Sequence, residues 1–190
     1  MQTLAREEIR EIQPARSYRF SVAVFSTDFG WFGLWGNADG LAGLAIGHAS
    51  RESARRSLLE RLAAEMPGAE WAESDWNPDL RRRLQDYTLG SPDDFRDVCV
   101  LLPKLTAFQR AVIDATRQIP CGETRSYAEL AAEAGRPGAA RAVGNVMASN
   151  RVPIVIPCHR VVASGGKWGG FSAPQGVDLK RRMLDVEAAG

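Results

Sequence analysis

The chain has 190 residues, 45% of them hydrophobic and 25% charged, with a formal net charge of +1, values that describe a folded protein of one or two domains. No run of about 18 apolar residues occurs, which argues against a membrane-spanning helix, and the charged stretch from Met1 to Gln13 does not read as a secretory signal peptide. The charge is uneven, with 13 Lys/Arg against 16 Asp/Glu in residues 1–104 and 11 against 7 in residues 105–190, so the second half permits an anionic partner.

In chain order, Tyr18 to Ser26 places Phe20, Val22 and Val24 on one face and predicts a strand. Trp31–Trp35 predicts a second strand, Asn37-Ala38-Asp39-Gly40 a turn, and Leu41–Ile46 a third strand, so a three-stranded antiparallel meander is expected. A helix follows over about Ser50–Glu65, with Ala54, Leu58 and Leu62 on one face and Pro67-Gly68 ending it. Asp79–Tyr87 predicts another helix, whose Arg81-Arg82-Arg83 run reads as a solvated face. Residues 89–104 read as a connection between domains, leaving 1–88 and 105–190 as the two units.

Beyond residue 105 the pattern is helical. Phe108, Val112, Ala115 and Ile119 share a face, and Pro120 stops the helix. Ser126-Tyr127-Ala128-Glu129 is a capping box that opens a helix over Tyr127–Ala134, closed by Gly135. A second helix runs from about Gly138 to Ala148, and two short helices joined by a Gly-containing turn spell helix-turn-helix. That second helix is almost bare, with Arg141 as its one long charged side chain. Small residues suit close approach to another surface, and equally suit tight packing within the helix's own domain.

Val152 to Pro157 reads as a buried extended segment that delivers Cys158-His159-Arg160. Cysteine is nucleophilic as thiolate, and an ordinary thiol with a pKa of about 8.5 is mostly protonated at neutral pH. A neighbouring imidazole shifts that balance, although adjacent residues on a strand face opposite ways and meet only across a bend or a bridging water. A lone Cys beside His, taken alone, more often marks an inert buried thiol. The three cysteines, Cys99, Cys121 and Cys158, include no C-x-x-C pair, so neither a disulfide framework nor a metal site is expected, and the reading is a reducing, cytoplasmic compartment.

The run Ile156-Pro157-Cys158-His159-Arg160-Val161, preceded in order by Phe108-Gln109, Ile119-Pro120-Cys121-Gly122-Glu123-Thr124, Ser126-Tyr127 and Arg141-Ala142-Val143-Gly144, resembles the C-terminal domain of the O6-alkylguanine-DNA alkyltransferases. Before residue 105 the likeness is confined to size, the Gly30–Gly36 strand and the Asp39-Gly40 turn. The resemblance implies an α+β fold: a small N-terminal α/β domain, ribonuclease H-like with a three-stranded antiparallel sheet, then a mainly helical winged helix-turn-helix domain. It implies direct-reversal repair, in which Cys158 irreversibly takes a methyl or alkyl group from O6-alkylguanine, and potentially from O4-alkylthymine, once per molecule and with no cofactor.

By the same resemblance His159 takes the thiol proton through a water, and Glu187 orients His159. The damaged base leaves the stack through the minor groove at a cost of a few kcal/mol, and Arg141 fills its place. Tyr127 displaces the flanking phosphate and assists the leaving base, while Asn150 holds the active-site turn. Met147, Val161, Phe171 and Ser172 belong to the guanine pocket, and Ser164 on the wing touches phosphate. The implied partner is double-stranded DNA read with little sequence specificity, bound by a protein that is monomeric when free.

Some positions depart from the family's commonest pattern. Phe171 stands where many members carry Tyr, Ile113 replaces a frequent Trp, and Ala173-Pro174-Gln175-Gly176 is two residues longer than in some members. Cys121 reads as structural, and His48 and Cys99 receive no role. A non-catalytic lesion sensor is the alternative, but sensors of that kind replace the acceptor cysteine, which is present here. A thiol-switched transcriptional regulator and a cysteine hydrolase fit less well: the first lacks strongly basic flanks, and the second requires turnover.

Overall fold

The computed structural model describes residues 9–13, 18–165 and 168–189; residues 1–8, most of the stretch read against a signal peptide, lie outside them. Among the described residues no helix is long and apolar enough to cross a membrane.

The first half builds a sheet. Its strands are β1 (Ile9–Glu11), β2 (Arg19–Thr27), β3 (Gly30–Asn37), β4 (Gly40–His48), β5 (Glu70–Glu73) and β6 (Val100–Leu102), and they lie in the order β1-β6-β4-β3-β2-β5. The expected meander is its centre: β2 pairs antiparallel with β3, from Ser21 opposite Gly36 to Thr27 opposite Gly30, and β3 pairs antiparallel with β4. The sheet is nevertheless six-stranded and mixed, because β1, β5 and β6 add parallel pairings. These three span only three or four residues each, too short for an alternating pattern to register. The segment 89–104, read as a connection, returns to the sheet as β6 between β1 and β4.

Two helices flank the sheet. Helix α1 (Arg51–Glu65) starts at a Ser50 capping box and buries Ala54, Leu58 and Leu62, of which Leu58 and Leu62 pack with Phe20, Val22 and Trp35 on one face. Helix α2 (Pro78–Thr88) is capped by Asn77 and buries Leu80, Leu84 and Tyr87. It belongs to the opposite face, where Ala23, Phe25, Leu34 and Leu44 join a core that continues into Val112, Val143, Val155 and Met183. The Arg run on α2 is engaged by carboxylates: Arg81 by Asp75, Arg82 by Asp79 and Asp86, and Arg83 by Asp93 and Asp97.

The second half contains α3 (Ala107–Arg117), β7 (Arg125–Ser126), α4 (Tyr127–Glu133), α5 (Ala140–Ala148), β8 (Val161–Val162) and α6 (Gly176–Ala189). The predicted Ser126–Glu129 capping box opens α4. Helix α5 begins two residues later than expected, because Gly138 adopts φ +90° in the turn after α4. Strands β7 and β8 pair in parallel beside the helix-turn-helix. Residues 152–157 are buried as expected but are not extended: Ile154 has φ +73°, Pro153 bridges Ile156, and the chain turns sharply. The two prolines that suggested a stiff strand here fix the shoulders of a turn.

Candidate active site

The turn after α5 places Cys158 at the start of a single 3₁₀ turn, Cys158–Arg160. Asn150 ties its approach together, donating from Nδ2 to the Ile156 carbonyl at 2.8 Å and accepting at Oδ1 from the Val152 amide at 3.1 Å. The buried thiol and the adjacent imidazole thus sit on a bend rather than a strand, and Cys158 is 7% exposed. Burial pushes the Cys158 thiol up, while Asn150, the Lys180 ammonium and the amides of Cys158 and His159 pull it the other way.

Behind the thiol lies a closed polar cluster. His159 Nε2 is 2.7 Å from Glu187 Oε1, and the same oxygen accepts the Tyr87 hydroxyl at 2.7 Å and Arg160 Nη2 at 2.9 Å. Glu187 Oε2 accepts Arg160 Nε at 3.0 Å and the Gly122 amide at 3.2 Å. Arg160 spends its remaining donor on the Ile119 carbonyl at 2.7 Å and on Asp94 at 3.0 Å. Burial alone would raise the Glu187 carboxyl, but His159 and Arg160 overcome it and hold that carboxyl well below the usual carboxylate range.

An anionic Glu187 accepts only, so Nε2 of His159 carries a proton when the ring is neutral. His159 Nδ1 is buried and has no partner among the described residues, and burial lowers the ring's pKa against the opposing pull of Glu187. The imidazole is therefore held neutral, with one basic nitrogen available.

Lys180 is a second buried cation, after Arg160. Its Nζ donates to the Val161 carbonyl at 2.6 Å, and burial lowers its pKa to about 8, partly offset by Cys158.

A cavity of about 630 Å³ between α5 and residues 169–172 is lined by Tyr127, Arg141, Met147, Cys158, Phe171 and Ser172. Tyr127 is held there by close contact with Gly169, whose φ of +66° lets the backbone pass where a Cβ would lie 2.8 Å from the phenolic oxygen. Burial and the neighbouring Cys158 push the Tyr127 phenol up. A second cavity of about 660 Å³ reaches Cys158 from the sheet side and is bordered by Asn150, Ile156 and His48.

Two predicted site residues stand apart. Val161 is fully buried and is not among the residues lining either cavity, its carbonyl being engaged by Lys180. Ser164 is exposed on the loop after β8. Arg141 is also exposed, at the start of α5, but faces the first cavity. The Cys121 amide donates to Asp94 at 2.8 Å, and burial pushes its thiol up.

The sequence reading missed Tyr87, Asp94 and Lys180. Tyr87 follows Leu80 and Leu84 on the buried stripe of α2 and looks like one more core aromatic. Lys180 did carry a signal, since it lies with Leu179, Met183 and Glu187 on the buried face of α6, where an unpartnered lysine is costly.

The family model described as "6-O-methylguanine DNA methyltransferase, DNA binding domain" matches residues 107–189. A methylated-DNA–protein-cysteine methyltransferase of Methanosarcina acetivorans is 39% identical over 120 residues, covering 63% of this chain and 74% of its own. The Salmonella typhimurium protein of the same description is 40% identical over 133 residues, 70% of each chain. Among solved structures, Mycobacterium tuberculosis OGT in complex with DNA is similar with a TM-score of 0.70 at 30% identity, over 89% of this chain and 93% of that one. The sheet, the helix-turn-helix and the cysteine turn have a common explanation: this chain belongs to the methylated-DNA–protein-cysteine methyltransferase family, DNA-binding proteins that repair alkylated DNA by a single, direct transfer of the alkyl group to a cysteine of their own.

Proposed function

We propose that Cys158 is the acceptor and that His159, Glu187, Tyr127 and Asn150 serve the transfer. The observation that carries this reading is the position of Cys158, between an open cavity beside α5 and a sealed His159–Glu187 pair whose free nitrogen is His159 Nδ1. The thiol proton passes to Nδ1 through a bridging water, and sulfur attacks the saturated carbon on O6. The C–S bond forms as the C–O6 bond breaks, and its electron pair stays on the base, where the Tyr127 hydroxyl supports the leaving oxygen. No cofactor takes part, and the thioether has no ready route back.

The substrate is O6-alkylguanine in double-stranded DNA, with O4-alkylthymine a second candidate. Helix α5 enters the minor groove, Arg141 occupies the place of the flipped base, and Met147, Phe171 and Ser172 enclose it. Ser164 meets a phosphate, and Val161 supports the cysteine turn through its carbonyl on Lys180 and its amide on the Cys158 carbonyl. A helix whose exposed face carries Arg141, Asn145 and Ala148 offers few groups to read bases, so binding is largely independent of sequence and weakens with salt. The free protein is a monomer with residues 105–190 as its alkyltransferase domain, and its cysteines, without a C-x-x-C pair, suit the reducing cytoplasm.

Intact-mass analysis after mixing with a duplex carrying one O6-methylguanine tests the reading. The expected result is a single methyl gain, mapped to Cys158 and absent from Cys158→Ala. Tight binding to the lesion without any gain would instead make the protein a sensor.

A further inference from the structure

We propose that Tyr87, contributed by the N-terminal sheet unit, is a positioning residue for alkyl transfer, its hydroxyl locking Glu187 against His159. The inference rests on the reading of Cys158 as acceptor and His159 as base.

The geometry is specific. The Tyr87 hydroxyl donates to Glu187 Oε1 at 2.7 Å and lies 3.2 Å from His159 Nε2, so it touches both members of the pair. The rings of Tyr87 and His159 stand edge-on, with centroids 6.4 Å apart. Both rings are essentially inaccessible, at 1% and 0% exposure. Phe95 packs against the other side of Tyr87, with ring centroids 5.8 Å apart, leaving the hydroxyl a fixed direction.

A phenol in this position does more than fill space. Glu187 Oε1 is shared by Tyr87, His159 and Arg160, and each donated hydrogen bond lowers the proton affinity of the carboxylate. When His159 gains the thiol proton, a carboxylate so restrained leaves that proton on the imidazole. It also keeps Nε2 as the hydrogen-bond donor in the neutral ring, so that Nδ1 faces its task as a bare lone pair.

The arrangement gives the first half of the chain a chemical part in the reaction. Tyr87 ends the buried face of α2, whose Leu80 and Leu84 sit in the core under the sheet. Seven residues further on, Asp94 accepts from Arg160 and from the Cys121 amide. The segment from Tyr87 to Asp94 therefore reaches into the relay from outside the helix-turn-helix half.

The test is the single-turnover rate of methyl transfer from an O6-methylguanine duplex as a function of pH, for the full-length protein and Tyr87→Phe. Removing the hydroxyl makes Glu187 more basic and favours imidazolium, so the acid limb moves upward by about half to one pH unit and the rate at a fixed pH on that limb falls about three- to tenfold. Lesion-duplex affinity stays unchanged. Leu84→Ala, which loosens the same helix but keeps the hydroxyl, lowers the melting temperature without moving the acid limb. In a Glu187→Gln background, Tyr87→Phe adds no further shift.

A profile that is unchanged in Tyr87→Phe while its melting temperature falls overturns the proposal and leaves Tyr87 as packing. Should Tyr87→Phe not fold, imidazole ¹⁵N shifts of the wild type decide, since only His48 and His159 contribute. The proposal requires the Nε2–H tautomer at His159, and an Nδ1–H tautomer overturns it. Failure of the wild type to take up methyl at all defeats the underlying reading instead, a separate and recognisable result.

Discussion

Arg160 grips both oxygens of Glu187, with Nη2 2.9 Å from Oε1 and Nε 3.0 Å from Oε2, and each side chain is 1% exposed. Neither charge has bulk water to fall back on. Glu187→Gln is therefore expected to cost about 3–5 kcal/mol, the usual penalty for stranding one half of a buried ion pair, in urea denaturation at neutral pH.

The same pair sets an acid limit. Because the folded-state pKa of Glu187 is depressed, its contribution to stability is complete above the unfolded carboxylate value of about 4.3 and drains away as pH falls toward the folded value. The stability gap between wild type and Glu187→Gln should narrow steadily below about pH 4, a trend that pH-dependent denaturant titrations would reveal.

Lys180 gives the same sign in a higher pH window. Its folded pKa of about 8 lies below the unfolded value of about 10.4, so between these the unfolded chain binds more protons and folding stability rises with pH. Lys180→Met, which fills similar space without a charge, should abolish that rise. It should also slow methyl transfer about tenfold, because Cys158 loses a nearby cation that favours thiolate. Quenched-flow transfer assays beside thermal melts at pH 8 and above separate the two effects.

Gly169→Ala is predicted to act on Tyr127 before anything else. The new Cβ would fall 2.8 Å from the phenolic oxygen and 3.1 Å from Cε2, at a φ of +66° that alanine tolerates poorly. A stability loss of about 1 kcal/mol is expected, with slowed transfer and unaltered binding to undamaged duplex, measured by melting, transfer kinetics and fluorescence anisotropy.

Arg141→Ala should leave stability within about 0.5 kcal/mol of wild type, as the side chain is solvent-exposed. Transfer from duplex should fall by about ten- to a hundredfold, since a few kcal/mol of unstacking loses its compensation. Transfer from a free O6-methylguanine nucleoside should be spared. Equal losses on both substrates would remove Arg141 from base extrusion.

Legibility in the sequence followed the physical range of each signal. The meander was readable because β2 is nine residues long, with Phe20, Val22 and Val24 recurring at every second position, and α4 because its capping box is local. Strands β1, β5 and β6 were not, since their existence depends on partners supplied by distant residues. At the site, the Pro157-Cys158-His159-Arg160 run announced itself, whereas Tyr87 is joined to Glu187 across 100 positions. Nothing about a tyrosine on an amphipathic helix says where its hydroxyl ends. The prolines at 153 and 157 pointed to rigidity correctly and to shape wrongly, because proline fixes its own φ and leaves ψ free to make a corner.

The longer rim segment has a use of its own. Gln175 Nε2 donates to the carbonyls of Phe29 and Gly47, each at 2.9 Å, and Gly47 at φ +73° brings its backbone close to both Gln175 and Leu179. Residues that lengthen the loop after Phe171 thus act as a rivet onto the sheet, and the width of the entrance is set by a contact remote from the entrance itself. Trimming that loop to the shorter length would withdraw the rivet and give this doorway a hinge.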